Sequence, residues 1–144
     1  MRSVLLLLLV LSLSPAGQDA QGPQSPDDKK GKAALSVKAT PAVSFSPARI
    51  RAFAELKGGP DDNQELYCAA VEWDWGDLTQ SESATDCEPY EAGKSEVVRR
   101  FSSEHVYRTQ GRYRVVIRLK RNGKVLTAAN TTVTVRPGVR DSMY

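Results

Sequence analysis

Apolar residues recur at every second position through most of the chain beyond residue 33, the pattern of strands with one buried face. Leu35, Val37 and Ala39 alternate with polar neighbours and stop at Thr40-Pro41, predicting a short first strand. Residues 42–47 form a proline-bounded connection. Ala48, Ile50, Ala52, Ala54 and Leu56 then alternate with Arg49, Arg51, Phe53 and Glu55, predicting a second strand. Residues 57–63 (Lys-Gly-Gly-Pro-Asp-Asp-Asn) are dense in turn formers and predict a loop. A third strand spans Leu66 to Trp75, with Val71, Trp73 and Trp75 on one side and Glu72 and Asp74 on the other. Gly76-Asp77 ends it, because Gly tolerates backbone angles that strands avoid and Asp bonds its own backbone in turns. Two indoles on one face need a deep core opposite them, so this strand is the expected centre of the fold.

Residues 77–95 are polar and acidic, with room for at most a short edge strand, and 96–101 read as a further strand whose facing the pattern leaves open. From His105 to Leu119 the signal is strong again. Tyr113, Val115, Ile117 and Leu119 face one side; Arg112, Arg114, Arg118 and Lys120 face the other, with Val116 among them. Asn122-Gly123 is the preferred two-residue hairpin turn. The return strand, Lys124 to Val135, points Val125, Thr127, Ala129, Thr131, Val133 and Val135 inward, and leaves Leu126 outside with Phe53 and Val116. About seven short strands without helical periodicity predict an all-β, two-sheet sandwich.

Composition changes this picture at the ends. Arg2 followed by the apolar run Val4–Leu13 and the small residues Ser14-Pro15-Ala16 reads as a signal peptide over 1–16, cleaved between 16 and 20. The run is too short to span a bilayer comfortably, and no later segment is apolar enough. Residues 17–32 are a polar, flexible linker, 33–136 the folded domain and 137–144 a tail. A secreted or periplasmic protein is expected. The formal net charge of +3 becomes +2 without the leader, which gives no reason to expect a nucleic-acid partner. The two cysteines, Cys68 and Cys87, suit an oxidising compartment and predict one disulfide.

Two motifs in order, Trp73-Asp74-Trp75-Gly76-Asp77 and His105-Val106-Tyr107 leading to Gly111-Arg112-Tyr113-Arg114-Val115, resemble the PKD (polycystic kidney disease) domain family. The resemblance covers roughly 33–136. It implies an immunoglobulin-like (PKD-type) sandwich that serves as an extracellular module for protein or carbohydrate contact. It also implies that His105 and Tyr107 brace a corner, with Tyr107 bonding backbone as a tyrosine corner does. Leu78 departs from the family, standing where a Gly commonly extends the turn.

Candidate chemistry is sparse. His105 is the single histidine, too little alone for a metal cage or a nucleophile relay. Asp61, Asp62 and Asn63, with Asp74 and Asp77, are weak candidate Ca²⁺ ligands without EF-hand spacing. No metal, cofactor or catalytic residue is expected. Charge is segregated: residues 55–96 hold twelve acids against two lysines, and 97–124 hold nine bases against Glu104. Placing the third strand beside the Tyr113 strand sets Glu72 and Asp74 opposite Arg114 and its neighbours, with the Cys87 loop drawn over the arginine row. Arg112, Arg114, Arg118 and Lys120 are the candidate surface contact. Asn130-Thr131-Thr132 fits the N-glycosylation acceptor pattern. The expected function is a non-catalytic module for protein contact or surface organisation, its partner an extracytoplasmic protein or polysaccharide. The alternative is a carbohydrate- or Ca²⁺-binding accessory module acting in trans with a secreted hydrolase.

Overall fold

A computed structural model describes residues 32–139, which contain eight strands and no helix. They are β1 (Ala34–Thr40), β2 (Val43–Phe45), β3 (Ala48–Lys57), β4 (Ala70–Asp74), β5 (Gln80–Ser83), β6 (Arg100–Tyr107), β7 (Gly111–Arg121) and β8 (Lys124–Arg136). The leader over 1–16, the linker up to residue 31 and residues 140–144 of the tail lie outside the described residues. One sheet has the order β1-β3-β6, the other β2-β8-β7-β4-β5. All pairings are antiparallel except that of β2 with β8. This is the two-sheet, immunoglobulin-like sandwich, in which a central tryptophan-bearing strand sits beside the penultimate strand.

The core follows the alternation. Ala48, Ile50, Ala52, Ala54 and Leu56 of β3 face Val115, Ile117 and Leu119 of β7 and Val133 and Val135 of β8 across the gap between sheets. Trp73 and Trp75 fill the centre, 3% and 2% exposed. Their rings stack at 5.7 Å with 11° between planes.

Four local departures from the expected elements have physical causes. The third strand begins at Ala70, since Cys68 takes a left-handed φ of 55° and the segment before it is a turn. The segment 96–101 becomes a strand only from Arg100; Val97 is nonetheless buried and its amide bonds the Asp61 carbonyl at 2.9 Å. The connection 42–47 contains β2, a parallel edge strand three residues long, too short for an alternation to register. Lastly, the β7–β8 ladder slips between Leu119 and Lys120, so Leu126 is an extra residue. A one-residue bulge exchanges the faces beyond it. Val125, expected inside, is therefore 46% exposed, while Leu126 is half-buried.

Candidate functional site

β4 ends in a turn that carries most of the sequence motif. The Trp75 amide bonds the Thr79 carbonyl at 3.1 Å, closing the turn. Asp74 Oδ1 accepts the Gly76 amide at 3.1 Å, and Asp77 Oδ1 accepts both the amide (3.1 Å) and the hydroxyl (2.5 Å) of Thr79. Gly76 has φ 76°, and a Cβ there would sit 2.7 Å from the Arg114 carbonyl oxygen, so only glycine lets the turn lie against β7. Leu78 occupies a left-handed φ of 71° with its side chain wholly in solvent.

The turn delivers Asp77 to the other sheet. Its Oδ2 lies 2.7 Å from Nε2 of His105 on β6, and both side chains are about four-fifths buried. A carboxylate only accepts, so Nε2 carries the proton. The imidazole stacks on Trp75 at 4.8 Å and meets Tyr107 edge-on at 4.7 Å. The buried Tyr107 hydroxyl donates to the Trp75 carbonyl at 2.7 Å. Burial pushes the Asp77 carboxyl up, but the bonds from Thr79 and His105 outweigh this and hold it below the usual carboxylate range. Burial, with Asp77 next, raises the Tyr107 phenol well above its ordinary value.

Tyr107 is thus a tie between sheets. Its phenol bonds backbone as expected, while Tyr113 makes the shorter-range bond of a tyrosine corner, its hydroxyl donating to the Thr109 carbonyl four residues upstream at 2.8 Å. The two phenols stack at 4.2 Å. A Cβ on Gly111 would come within 2.9 Å of the Tyr113 ring, which explains a glycine at the start of β7.

On the outer face of the five-stranded sheet, acids and bases meet as the strand order requires, at the neighbours of Arg114 rather than at Arg114 itself. Glu72 lies opposite Arg118, and Asp74 opposite Val116. Glu72 accepts from Arg118 at 2.8 Å and Lys120 at 2.7 Å; Asp74 sits 3.5 Å from Arg118. Lys120, then Arg118, hold the Glu72 carboxyl below its ordinary range, and Glu72 raises the Lys120 amine. Arg112 and Arg114 take no part: they lie opposite Thr134 and Thr132 of β8, exposed and without an ion-pair partner among the described residues. The expected contact set is therefore two pairs with different fates.

Cys68 and Cys87 are joined in a disulfide, with Cα atoms 6.1 Å apart. Among the described residues the bridge brings no acid of that loop into an ion pair with the arginine row. It ties that loop to the turn before β4, and other residues invisible to pattern reading help. Tyr67 donates to the Glu88 carbonyl (2.9 Å), Tyr90 to the Asp62 carbonyl (2.6 Å), and the two rings lie 5.6 Å apart. Arg121 donates to the Gln64 and Tyr67 carbonyls. Arg99 reaches the Gly58 carbonyl (2.9 Å), the Gly59 carbonyl (3.2 Å) and Asp61 Oδ1 (2.6 Å).

Asp61 and Asp77, offered together as oxygen ligands, lie by opposite ends of β6: Asp61 on Arg99, Asp77 on His105. Asp62 contributes its carbonyl to Tyr90. Among the described residues no group of three or more His, Cys, Asp and Glu side chains is arranged to hold a metal ion. On the opposite face of the sandwich, Glu104 holds Arg49 and Arg51 and its carboxyl is lowered, chiefly by the hydrogen bond from Arg51.

No protein-family model matches the chain, and no curated protein does. Among solved structures it is similar to the crystal structure of the CARDB domain of the PF1109 protein from Pyrococcus furiosus, in complex with di-metal ions. The identity is 13%, covering 73% of this chain and 88% of that one, with a TM-score of 0.49. The solution structure of the same CARDB domain gives 12% identity, 72% and 93% coverage, and a TM-score of 0.47.

Proposed function

We propose that this chain is an exported, non-catalytic sandwich module of PKD type that acts by contact with another extracytoplasmic macromolecule. The observation that carries this reading is the state of its one histidine. A general base needs an open edge toward a substrate and a nucleophile within reach. His105 instead spends Nε2 on Asp77, lies flat on Trp75 and meets Tyr107, and Asp77 is closed off by Thr79. The motif residues with acid–base chemistry thereby serve the framework, and what faces solvent is two sheet surfaces and their end loops. The disulfide agrees with an oxidising compartment. Among the described residues no helix is long and apolar enough to cross a membrane.

Two measurements test this. Intact mass of the exported protein should show a mature N-terminus between residues 17 and 21. Crosslinking in the exported fraction should then recover a defined macromolecular partner. A chain retained in the cytosol with its leader, or one found to turn over a substrate through His105, overturns the proposal. A calorimetric titration with Ca²⁺ should give neither heat nor a melting shift, since Arg99, His105 and Arg118 engage three of the candidate carboxylates, Asp61, Asp77 and Asp74.

A further inference from the structure

The described part of the chain sorts its arginines into two groups. Arg49, Arg51, Arg99, Arg100, Arg118 and Arg121 each have a carboxylate or carbonyl partner. Arg108, Arg112, Arg114 and Arg136 have none, and all four are exposed. Three of these share one surface. Arg112 and Arg114 project from the outer face of β7 beside Thr134 and Thr132 of β8, and Arg136 follows on the same face of β8. The edge strand β2 extends the surface, with Val43 beside Thr134 and Phe45, 61% exposed, beside Arg136. Arg108 lies in the turn leading into β7 and adds charge at the same end.

Among the described residues no carboxylate pairs with this face. The carboxylate nearest along the sheet, Asp74, is directed to Arg118 and the Gly76 amide. The same strand is thus neutralised at Arg118 and Lys120 and left cationic at Arg112 and Arg114.

We infer that the Arg112–Arg114–Arg136 face binds an acidic polysaccharide. Alternate residues on a strand stand about 7 Å apart and neighbouring strands about 5 Å, so guanidinium and hydroxyl groups alternate across a flat grid. A flat sheet offers no enclosed pocket for a small anion but supports an extended chain laid across it. Planar guanidiniums fork onto carboxylate or sulfate groups, the threonine hydroxyls meet ring hydroxyls, and Phe45 offers a sugar ring an apolar face. The inference rests on the reading of the chain as an exported binding module, and names the class of its partner.

The test uses the full mature chain at neutral pH and low salt, with heparin as a sulfated probe and polygalacturonate as a carboxylated one. Phosphatidylserine-containing vesicles serve as a third arm. The parent should bind at least one polymer, with affinity falling as salt rises. The triple substitution Arg112→Ala, Arg114→Ala, Arg136→Ala should weaken that binding by about tenfold, three exposed charge contacts together being of this size. The control Lys38→Ala, Lys57→Ala, Lys124→Ala removes equal charge elsewhere and should change it by less than about twofold. Both variants replace exposed side chains, and unchanged circular-dichroism melts verify that they fold. Failure of the parent to bind either polymer, equal weakening in both variants, or patch-dependent binding to vesicles alone overturns the inference. A protein partner that crosslinks equally to the parent and the arginine triple variant would overturn it too, while leaving the module's proposed function standing.

Discussion

At the scale of single residues, the site shows how backbone conformation and burial assign roles that residue type alone leaves open. Leu78 is the plainest case. A side chain at φ 71° pays a steric cost of about 1–2 kcal/mol that glycine escapes, and Leu78 recovers nothing by burial. Leu78→Gly should therefore be neutral or stabilise by up to about 1 kcal/mol in urea unfolding, glycine's greater unfolded-state entropy taking back part of the gain. A loss of more than about 1 kcal/mol would show that the leucine makes a contact the structure lacks. Acid sensitivity is also set here. Glu72 and Asp77 are both held below their ordinary values of 4.5 and 3.8 in the folded chain. As pH falls, the unfolded chain takes up these protons first. The stability they lend is thus complete above those values and lost as pH drops through the lower folded ones. Urea midpoints should decline below about pH 4.5, and Glu72→Gln should lower the neutral-pH midpoint while flattening the acid limb. Parallel acid limbs in parent and variant would contradict the assignment.

At the scale of elements, the alternation placed β1, β3, β7 and β8 closely because each buries one face over many residues. It failed where one residue mattered. The extra Leu126 is invisible to a period-two reading, yet it exposes Val125. β2 is three residues long and pairs in parallel with a strand some ninety residues away, so nothing local announces it. The facing of acids and bases across β4 and β7 was legible, but which of the neighbours of Arg114 they reach was not: the ladder brings Glu72 and Asp74 to Arg118. Tyr107 bonds backbone as expected, but across the sandwich because it ends β6 facing the core, whereas Tyr113, just past the corner, makes the short upstream bond. Arg99, Tyr67 and Tyr90, which lace the long connections together, carried no sequence signal, since their partners are mostly backbone carbonyls. Those laces work beside the disulfide. Closing a loop with sequence separation 19 contributes about 3 kcal/mol in the chain-entropy model. The double substitution Cys68→Ser, Cys87→Ser should lower unfolding free energy by about that amount and make 84–95 the first site of proteolytic cleavage. Unchanged stability would mean that the tyrosines and Arg99 already hold the loop.

At the scale of the whole molecule, the two sheets are joined by more than apolar packing. The chain of rings from Trp73 through Trp75, His105 and Tyr107 to Tyr113 crosses the interior between sheets. The His105–Asp77 bond fastens the turn after β4 to β6 on the opposite sheet. This arrangement separates the molecule into a core that uses its acid–base residues as fasteners and outer faces free for contact, one of them left cationic by Arg112, Arg114 and Arg136. A fastening motif differs from a functional site, where replacing a key residue often leaves stability unchanged or improves it. A double-mutant cycle on His105→Ala and Asp77→Ala, read by equilibrium urea unfolding, separates the two cases. Each single change should destabilise the chain, and the pair should show a coupling energy of about 1–3 kcal/mol, the size of a hydrogen bond to a charged group. Single variants as stable as the parent, with no coupling between them, would contradict the fastening role.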